Sequence, residues 1–194
     1  LEVKSVGYPG VPINEKRRPK KGDFEIDASG HYVLPGFVDM HAHAGSVQKA
    51  PETDYVYKLW LAHGVTTVRG VGLGSLEFSL EEKARSKTNE ITAPRIWAYQ
   101  RPGQGNDWKG GAIRDPQNAR RWVRYVANKG VDGLKLVSYD PSIMAALIDE
   151  AKKQKLGTTA HLGQIGVARM NTVDAARLGL GTQTHFYGLF ESMY

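Results

Sequence analysis

Along most of this chain, short apolar runs alternate with longer stretches in which apolar residues return every three or four positions. The runs are "GFVDMHAH", "VTTVRGV", "RIWAYQ", "GLKLVSY", "TTAHLG" and "TQTHFYG". Their shortness, β-branched content and flanking Gly or Pro residues predict strands. Between them lie "TDYVYKLWLAHG", "SLEEKARSKTNE", "PQNARRWVRYVANKG", "PSIMAALIDEAKKQKLG" and "VARMNTVDAARLG", all with helical spacing. Pro116 and Pro141 suit first helical turns, and several of these stretches close on a glycine, as helix ends often do. Trp60 and Trp122 fall within the helical patterns and are expected to pack. Strand followed by helix, repeated, implies an α/β fold with a parallel sheet covered by helices.

Residues 1–34 follow a different pattern. Short extended segments, "LEVKSVGYPGVP", "DFEID" and "HYVL", are divided by a basic loop and by the turn Ala28-Ser29-Gly30. This reads as part of a small β domain, with the alternating units occupying 35–194. A closed (β/α)8 barrel needs ~250 residues. The 160 residues from Pro35 onward hold six units. The sheet is therefore either open and six-stranded or the first six units of a TIM-type barrel.

Composition narrows the chemistry. The chain has 194 residues and no cysteine, which excludes disulfides, thiolate metal sites and a Cys nucleophile. Any metal must be held by His, carboxylate or modified Lys. The net charge of +6 owes five charges to Lys16, Arg17, Arg18, Lys20 and Lys21 alone. The basicity is local, and no basic stripe with interleaved aromatics points to nucleic acid. No apolar run approaches the ~18 residues of a membrane span. No leader is visible, and because the chain begins at Leu1 rather than Met, its natural start is expected upstream.

Only six histidines occur, and their placement is informative. His41 and His43 stand two apart in a predicted strand, where i and i+2 project from one face. His161 and His185 each lie near the end of a later predicted strand, one strand-helix unit apart. Alone, an H-x-H pair is as compatible with core or surface histidines as with ligands. Four of six histidines at the ends of strands one, five and six shift that balance toward a shared site. His31 and His63 read as structural or solvent-facing.

Lys135 is the other oddity, a cation between Leu134 and Leu136 in an apolar strand. A lysine buried there is costly unless paired or modified. It either snorkels from the strand end or is held as a neutral amine, which can add CO2 and become a carboxylate-like carbamate.

Together His41, His43, Lys135, His161 and His185 resemble the ligand pattern of the amidohydrolase superfamily, in its binuclear, carbamylated-lysine branch. The similarity is to imidazolonepropionase-like and Xaa-Pro-dipeptidase-like members. "IDASGHYVLPGFVDMHAHAG" resembles their join between a small β-sandwich and barrel strand one, "LAHGVTTVRGVG" their strand two, and "GVDGLKLV" their lysine strand. The resemblance implies a (β/α)8 barrel of which six units are present. It implies two divalent ions, zinc by default although manganese, cobalt or iron suit such a site. His41 and His43 would hold the more buried ion, His161 and His185 the more exposed one, and a CO2-derived carbamate on Lys135 would bridge them. A hydroxide shared by the ions would attack an amide carbonyl in a dipeptide, N-acyl amino acid or cyclic amide. Phosphotriester or lactone hydrolysis, or a scaffold that has lost its metals, are the alternatives.

The resemblance also defines departures. The family's aspartate at the last barrel strand, which binds metal and shuttles the proton, has no counterpart in this chain. The C-terminal strands of the small domain are also missing. The chain therefore reads as a fragment that is inactive alone, from a protein that is an enzyme at full length. Relatives often carry Asp where this chain has Gly70. Some relatives are exported, which favours a periplasmic or extracellular location. The expected partner is a small-molecule or dipeptide substrate, with no nucleic acid and no membrane, and a homo-oligomer is compatible.

Two loops complete the sequence picture. "RGVGLGS" departs from the dinucleotide-binding glycine pattern at Ser75 and reads as a tight strand-helix connection. "RPGQGNDWKGGAIRDP", after the third strand, is either a surface loop or a substrate lid carrying Trp108. Tyr187, two residues beyond His185, either hydrogen-bonds a substrate or caps the core.

Overall fold

Each of the six apolar runs contributes a strand. The computed structural model describes residues 26–44 and 53–193. In chain order the elements are β1 (Phe37–Ala42), α1 (Thr53–Ala62), β2 (Val65–Val71), α2 (Leu76–Lys87), β3 (Arg95–Gln100) and α3 (Pro116–Lys129). They continue with β4 (Gly133–Leu136), α4 (Pro141–Lys153), β5 (Gly157–Ala160), α5 (Thr172–Arg177) and β6 (Thr182–Gln183), and a single 3-10 turn spans Phe190–Met193. The strands lie in the order β1-β2-β3-β4-β5-β6, every neighbouring pair parallel. Parallel neighbours require a crossover connection, which the intervening helices supply.

The sheet curls. Flat, it would separate β1 from β6 by five spacings of ~4.8 Å, or about 24 Å. Instead the ring of His41 on β1 lies 4.7 Å from that of His185, just past β6. Arg69 on β2 also reaches across the concave face to Thr159 on β5 and Thr182 on β6. This is an α/β half-barrel, the first six units of a TIM-type barrel.

Two apolar clusters line its outer layer. One joins β4 and β5 to α2, α3, α4 and α5 around Trp122, Leu134, Leu136, Met144, Leu147 and Leu162. The other sets Tyr57 of α1 against Val68, Leu73 and Ile96. The helices begin where capping chemistry permits. The side chain of Asp115 accepts from the amide of Asn118 ahead of Pro116, and Asn171 with Asp174 forms a capping box on α5. That box starts α5 at Thr172, later than the helical spacing from Val167 suggested. Gly130 ends α3 in the left-handed conformation as expected. After α4 it is Lys155, not Gly157, that takes the positive φ, because Gly157 already opens β5.

β4, β5 and β6 are shorter than their apolar runs. Their C-terminal residues leave the ladder and form loops at one end of the sheet. Gly70 sits where a side chain would run into buried Leu73, so the glycine at this position is a packing requirement of β2. Gly70→Ala is expected to destabilise the protein by about 1–3 kcal/mol through overpacking, read as a lowered urea midpoint at unchanged slope.

By Cα packing the chain divides into Leu1–Pro35 and Gly36–Tyr194. In the first unit, the predicted turn is present: the amide of His31 donates to the carbonyl of Ala28 and Gly30 has φ 76°. His31–Leu34, expected as a strand, is exposed and unpaired among the described residues. The strands expected before Ile26 and the basic loop lie outside the described residues. Among the described residues, no helix is long and apolar enough to cross a membrane.

Candidate metal centre

Strand β1 brings the first two histidines to the C-terminal end of the sheet. Its pairing with β2 is irregular between Asp39 and Ala42, and the carboxylate of Asp39 accepts the amide of His41. His43 lies just beyond the strand. The simple alternation expected of an unbroken strand is thus interrupted, yet both rings meet with their Nε2 atoms 3.1 Å apart. Nδ1 of His43 lies 3.3 Å from the carbonyl of Gly72. A proton on Nδ1 donated to that carbonyl leaves Nε2 as the free nitrogen of the neutral ring.

From β4 comes Lys135, 2% exposed. It does not snorkel to solvent. Its Nζ donates to the Thr184 hydroxyl at 3.0 Å and lies 3.3 Å from Nε2 of His41. Thr184 donates in turn to the carbonyl of Ala160. His161 follows β5, and His185 follows β6 in a left-handed backbone conformation, φ 67°. For a non-glycine residue that conformation costs of order 1 kcal/mol, and here it turns the ring inward. The His185 ring lies 4.7 Å from both His41 and His161. Four strands therefore deliver four imidazoles and one amine to one end of the half-barrel.

Tyr187 packs 5.2 Å from the His161 ring and borders a cavity of about 540 Å3 beside it. Ser138, Tyr139, Gln164 and Arg169 complete much of its wall. Trp108 stands apart from the histidines. Its indole donates to Gly111 and its ring packs on Tyr125. His31 and His63 are exposed; Nδ1 of His63 lies 2.8 Å from the carbonyl of Leu59.

The electrostatics of the cluster are uniformly those of a crowded cationic site. Burial, then the neighbouring Lys135 and histidines, pushes His41 down to about 4. Burial likewise lowers His43 and His161, with Lys135 and Arg101 adding to the effect. Burial and the guanidiniums of Arg101 and Arg69 push Lys135 down to about 8. At neutral pH these imidazoles are uncharged, as ligands must be.

Proton linkage gives this a stability signature. The unfolded chain binds a proton at His41 near pH 6.5 that the folded chain refuses until about pH 4. Stability is therefore present above pH 6.5 and lost as the pH falls through that window. The metal-free protein is expected to melt progressively lower from pH 6.5 to 4. His41→Asn should flatten that profile, which thermal scans across the range would show.

Whether these residues fit a metal depends on their donor chemistry. Among the described residues, no group of three or more His, Cys, Asp or Glu side chains is placed to hold a metal ion by itself. The histidines touch in sequence, 43 to 41 to 185 to 161, with Lys135 against His41. As an ammonium, Lys135 is a donor and repels a cation. The four imidazoles supply nitrogen donors that suit a divalent ion once Lys135 has lost its proton.

Three participants were not singled out in the sequence. Arg69 is a buried cation in an apolar strand, the same signal that marked Lys135. Thr184 immediately precedes His185. Gly72 acts through its carbonyl, which no side-chain pattern announces.

No family model matches the chain. It is 30% identical over 132 residues to an adenine deaminase of Methanoculleus marisnigri, covering 64% of this chain and 24% of that protein. An adenine deaminase of Bacillus licheniformis is 28% identical over 172 residues, covering 80% and 29%. The matched region thus spans about a quarter of these curated relatives. Among solved structures, a Xaa-Pro dipeptidase with methionine bound in its active site superposes with TM-score 0.65 at 20% identity, covering 89% of this chain and 55% of that one. An uncharacterized protein gives TM-score 0.62 at 22% identity, with 86% and 52% covered.

Proposed function

This chain is related to the amidohydrolase superfamily, and we propose on that premise that the full-length protein is a metal-dependent hydrolase of an amide bond. Its substrate would be a dipeptide, an N-acyl amino acid or a cyclic amide. The observation that carries this reading is the gathering of His41, His43, Lys135, His161 and His185 from four strands around one spot.

In this reading His41 and His43 would hold one divalent ion and His161 and His185 a second, zinc by default. Lys135, as a carbamate, would add an oxygen ligand. Bound ions of this kind lower the pKa of water and polarise a carbonyl as Lewis acids. The chain's own residues supply the rest. Lys135, at about 8, gives up its proton near physiological pH. Its neutral amine can then add CO2, forming an N–C bond and releasing a second proton. That exchange turns a +1 charge into −1 in a site where, among the described residues, no carboxylate pairs with Arg69 or Arg101. Thr184 can hold the modified side chain by its hydroxyl. The cavity beside His161 and Tyr187 is wide enough to receive the substrate's side chain.

Metal analysis of the full-length protein, purified without chelator beside Lys135→Ala, tests the proposal together with a panel of dipeptides and N-acyl amino acids. The expected result is about two equivalents of metal, falling to one or fewer in the variant, with hydrolysis confined to the loaded wild type. A folded wild type that takes up no metal overturns it. The names of the curated relatives favour a second reading, hydrolytic removal of an amino group from a purine-like ring, so adenine belongs in the same panel.

A further inference from the structure

We propose that Arg101 recognises a carboxylate on the substrate; this rests on the amide-hydrolase reading of the same site and narrows it to substrates ending in a free acid. Arg101 is the first residue after β3, at the sheet end where the histidines gather. Its Nε lies about 3.5 Å from where a side chain on Gly72 would begin. The carbonyl of that same Gly72 orients His43. Arg101 is close enough to the cluster for its charge to bear on His43, Lys135 and His161.

Other cations around this end of the sheet are already engaged. Arg69 is buried, donating to Met40, Thr159 and Thr182. Lys135 donates to Thr184. Arg169, on the cavity wall, pairs with Asp140 at 2.7 Å. Arg101 is exposed, and no described residue engages its guanidinium in a hydrogen bond or an ion pair. Among the described residues the site therefore presents an unanswered guanidinium beside a nitrogen-rich pocket, and a planar fork of donors matches a carboxylate in a bidentate pair.

Its base is fixed on both sides. The backbone amide of Gly72 donates to the carbonyl of Tyr99, the side-chain amide of Gln100 donates to the carbonyl of Gly74, and the buried indole of Trp122 donates to the carbonyl of Gln104. Farther along the loop, the amide of Asn106 donates to Glu77. A residue held in this way can orient a substrate without a large ordering cost on binding. A neutral ring such as adenine would make no use of it.

The test compares L-alanyl-L-leucine with L-alanyl-L-leucinamide on the metal-loaded full-length protein, as wild type, Arg101→Gln and Arg101→Lys. Calorimetric titration with L-leucine and L-leucinamide provides a readout independent of turnover. The wild type is expected to favour the free acid by about 100-fold in kcat/KM. Arg101→Gln should raise KM for the acid about 30-fold, with Arg101→Lys intermediate, and weaken L-leucine but not L-leucinamide. Equal effects on acid and amide, or no effect of either variant, overturn the carboxylate role while leaving amide hydrolysis standing. If neither dipeptide is cleaved yet L-leucine binding still depends on Arg101, the carboxylate site stands and the hydrolase reading falls.

Discussion

Replacing Lys135 with methionine is expected to abolish hydrolysis by the full-length protein and to raise the melting temperature of its metal-free form. The two effects have one cause. Lys135 is 2% exposed, has no carboxylate partner among the described residues, and is pushed down to about 8 by burial and by Arg69 and Arg101. A charge held under those conditions destabilises the fold at neutral pH by on the order of 2–3 kcal/mol. Methionine fills much the same volume without charge, and Thr184 keeps its bond to Ala160.

The pH dependence identifies the lysine as the source. Between about pH 8 and 10.5 the unfolded wild type binds a proton that the folded protein has released, so wild-type stability rises across that window. Lys135→Met has no such group, and its advantage should vanish by about pH 10.5. Activity moves in the opposite direction. On the proposed reading, losing Lys135 as a ligand removes several kcal/mol of transition-state stabilisation, and about 4 kcal/mol is a factor of ~1,000 in rate. A variant that melts lower than wild type at pH 7, or that retains turnover, would show that Lys135 is a structural residue.

Arg69→Ala should produce the largest loss of stability, about 3–5 kcal/mol, or roughly 6–20 °C in melting temperature. Arg69 is 6% exposed. Its Nε donates to the Met40 carbonyl at 2.7 Å, its Nη1 to Thr182 at 2.9 Å and its Nη2 to Thr159 at 3.3 Å, and the guanidinium stacks on Tyr99. One side chain on β2 thus ties together β1, β3, β5 and β6 across the concave face. β6 depends on it most, since its own ladder to β5 is only two residues long. Alanine would leave a cavity and strand the Met40 carbonyl. Arg69→Met, which keeps the stem, should cost less than half as much. Hydrogen exchange is the readout that separates a clasp from a merely buried residue: amides of β5 and β6 should lose protection before those of β4. Uniform loss across the sheet would mean the guanidinium does not hold the curl.

The order of strands and helices, and the identity of the cluster, were legible in the sequence because they rest on local physics. Periodicity marks a strand or a helix within a dozen residues, and β2 and β3 match their apolar runs residue for residue. A lysine between two leucines and histidines at successive strand ends are anomalies visible without a fold. The resemblance to the amidohydrolase superfamily then joined those anomalies into one site. What lay beyond the sequence involves partners distant in the chain or atoms of the backbone. Arg69 meets Thr182 across 113 positions, and no local pattern couples them. Gly72 orients His43 through a carbonyl, the left-handed turn at His185 aims a ring, and Gly70 is small because Leu73 fills the space above it. The sequence chose the residues of the site. The curl of the sheet, decided only when β1 meets β6 in space, brought their side chains together, and that convergence buried them and moved their proton affinities.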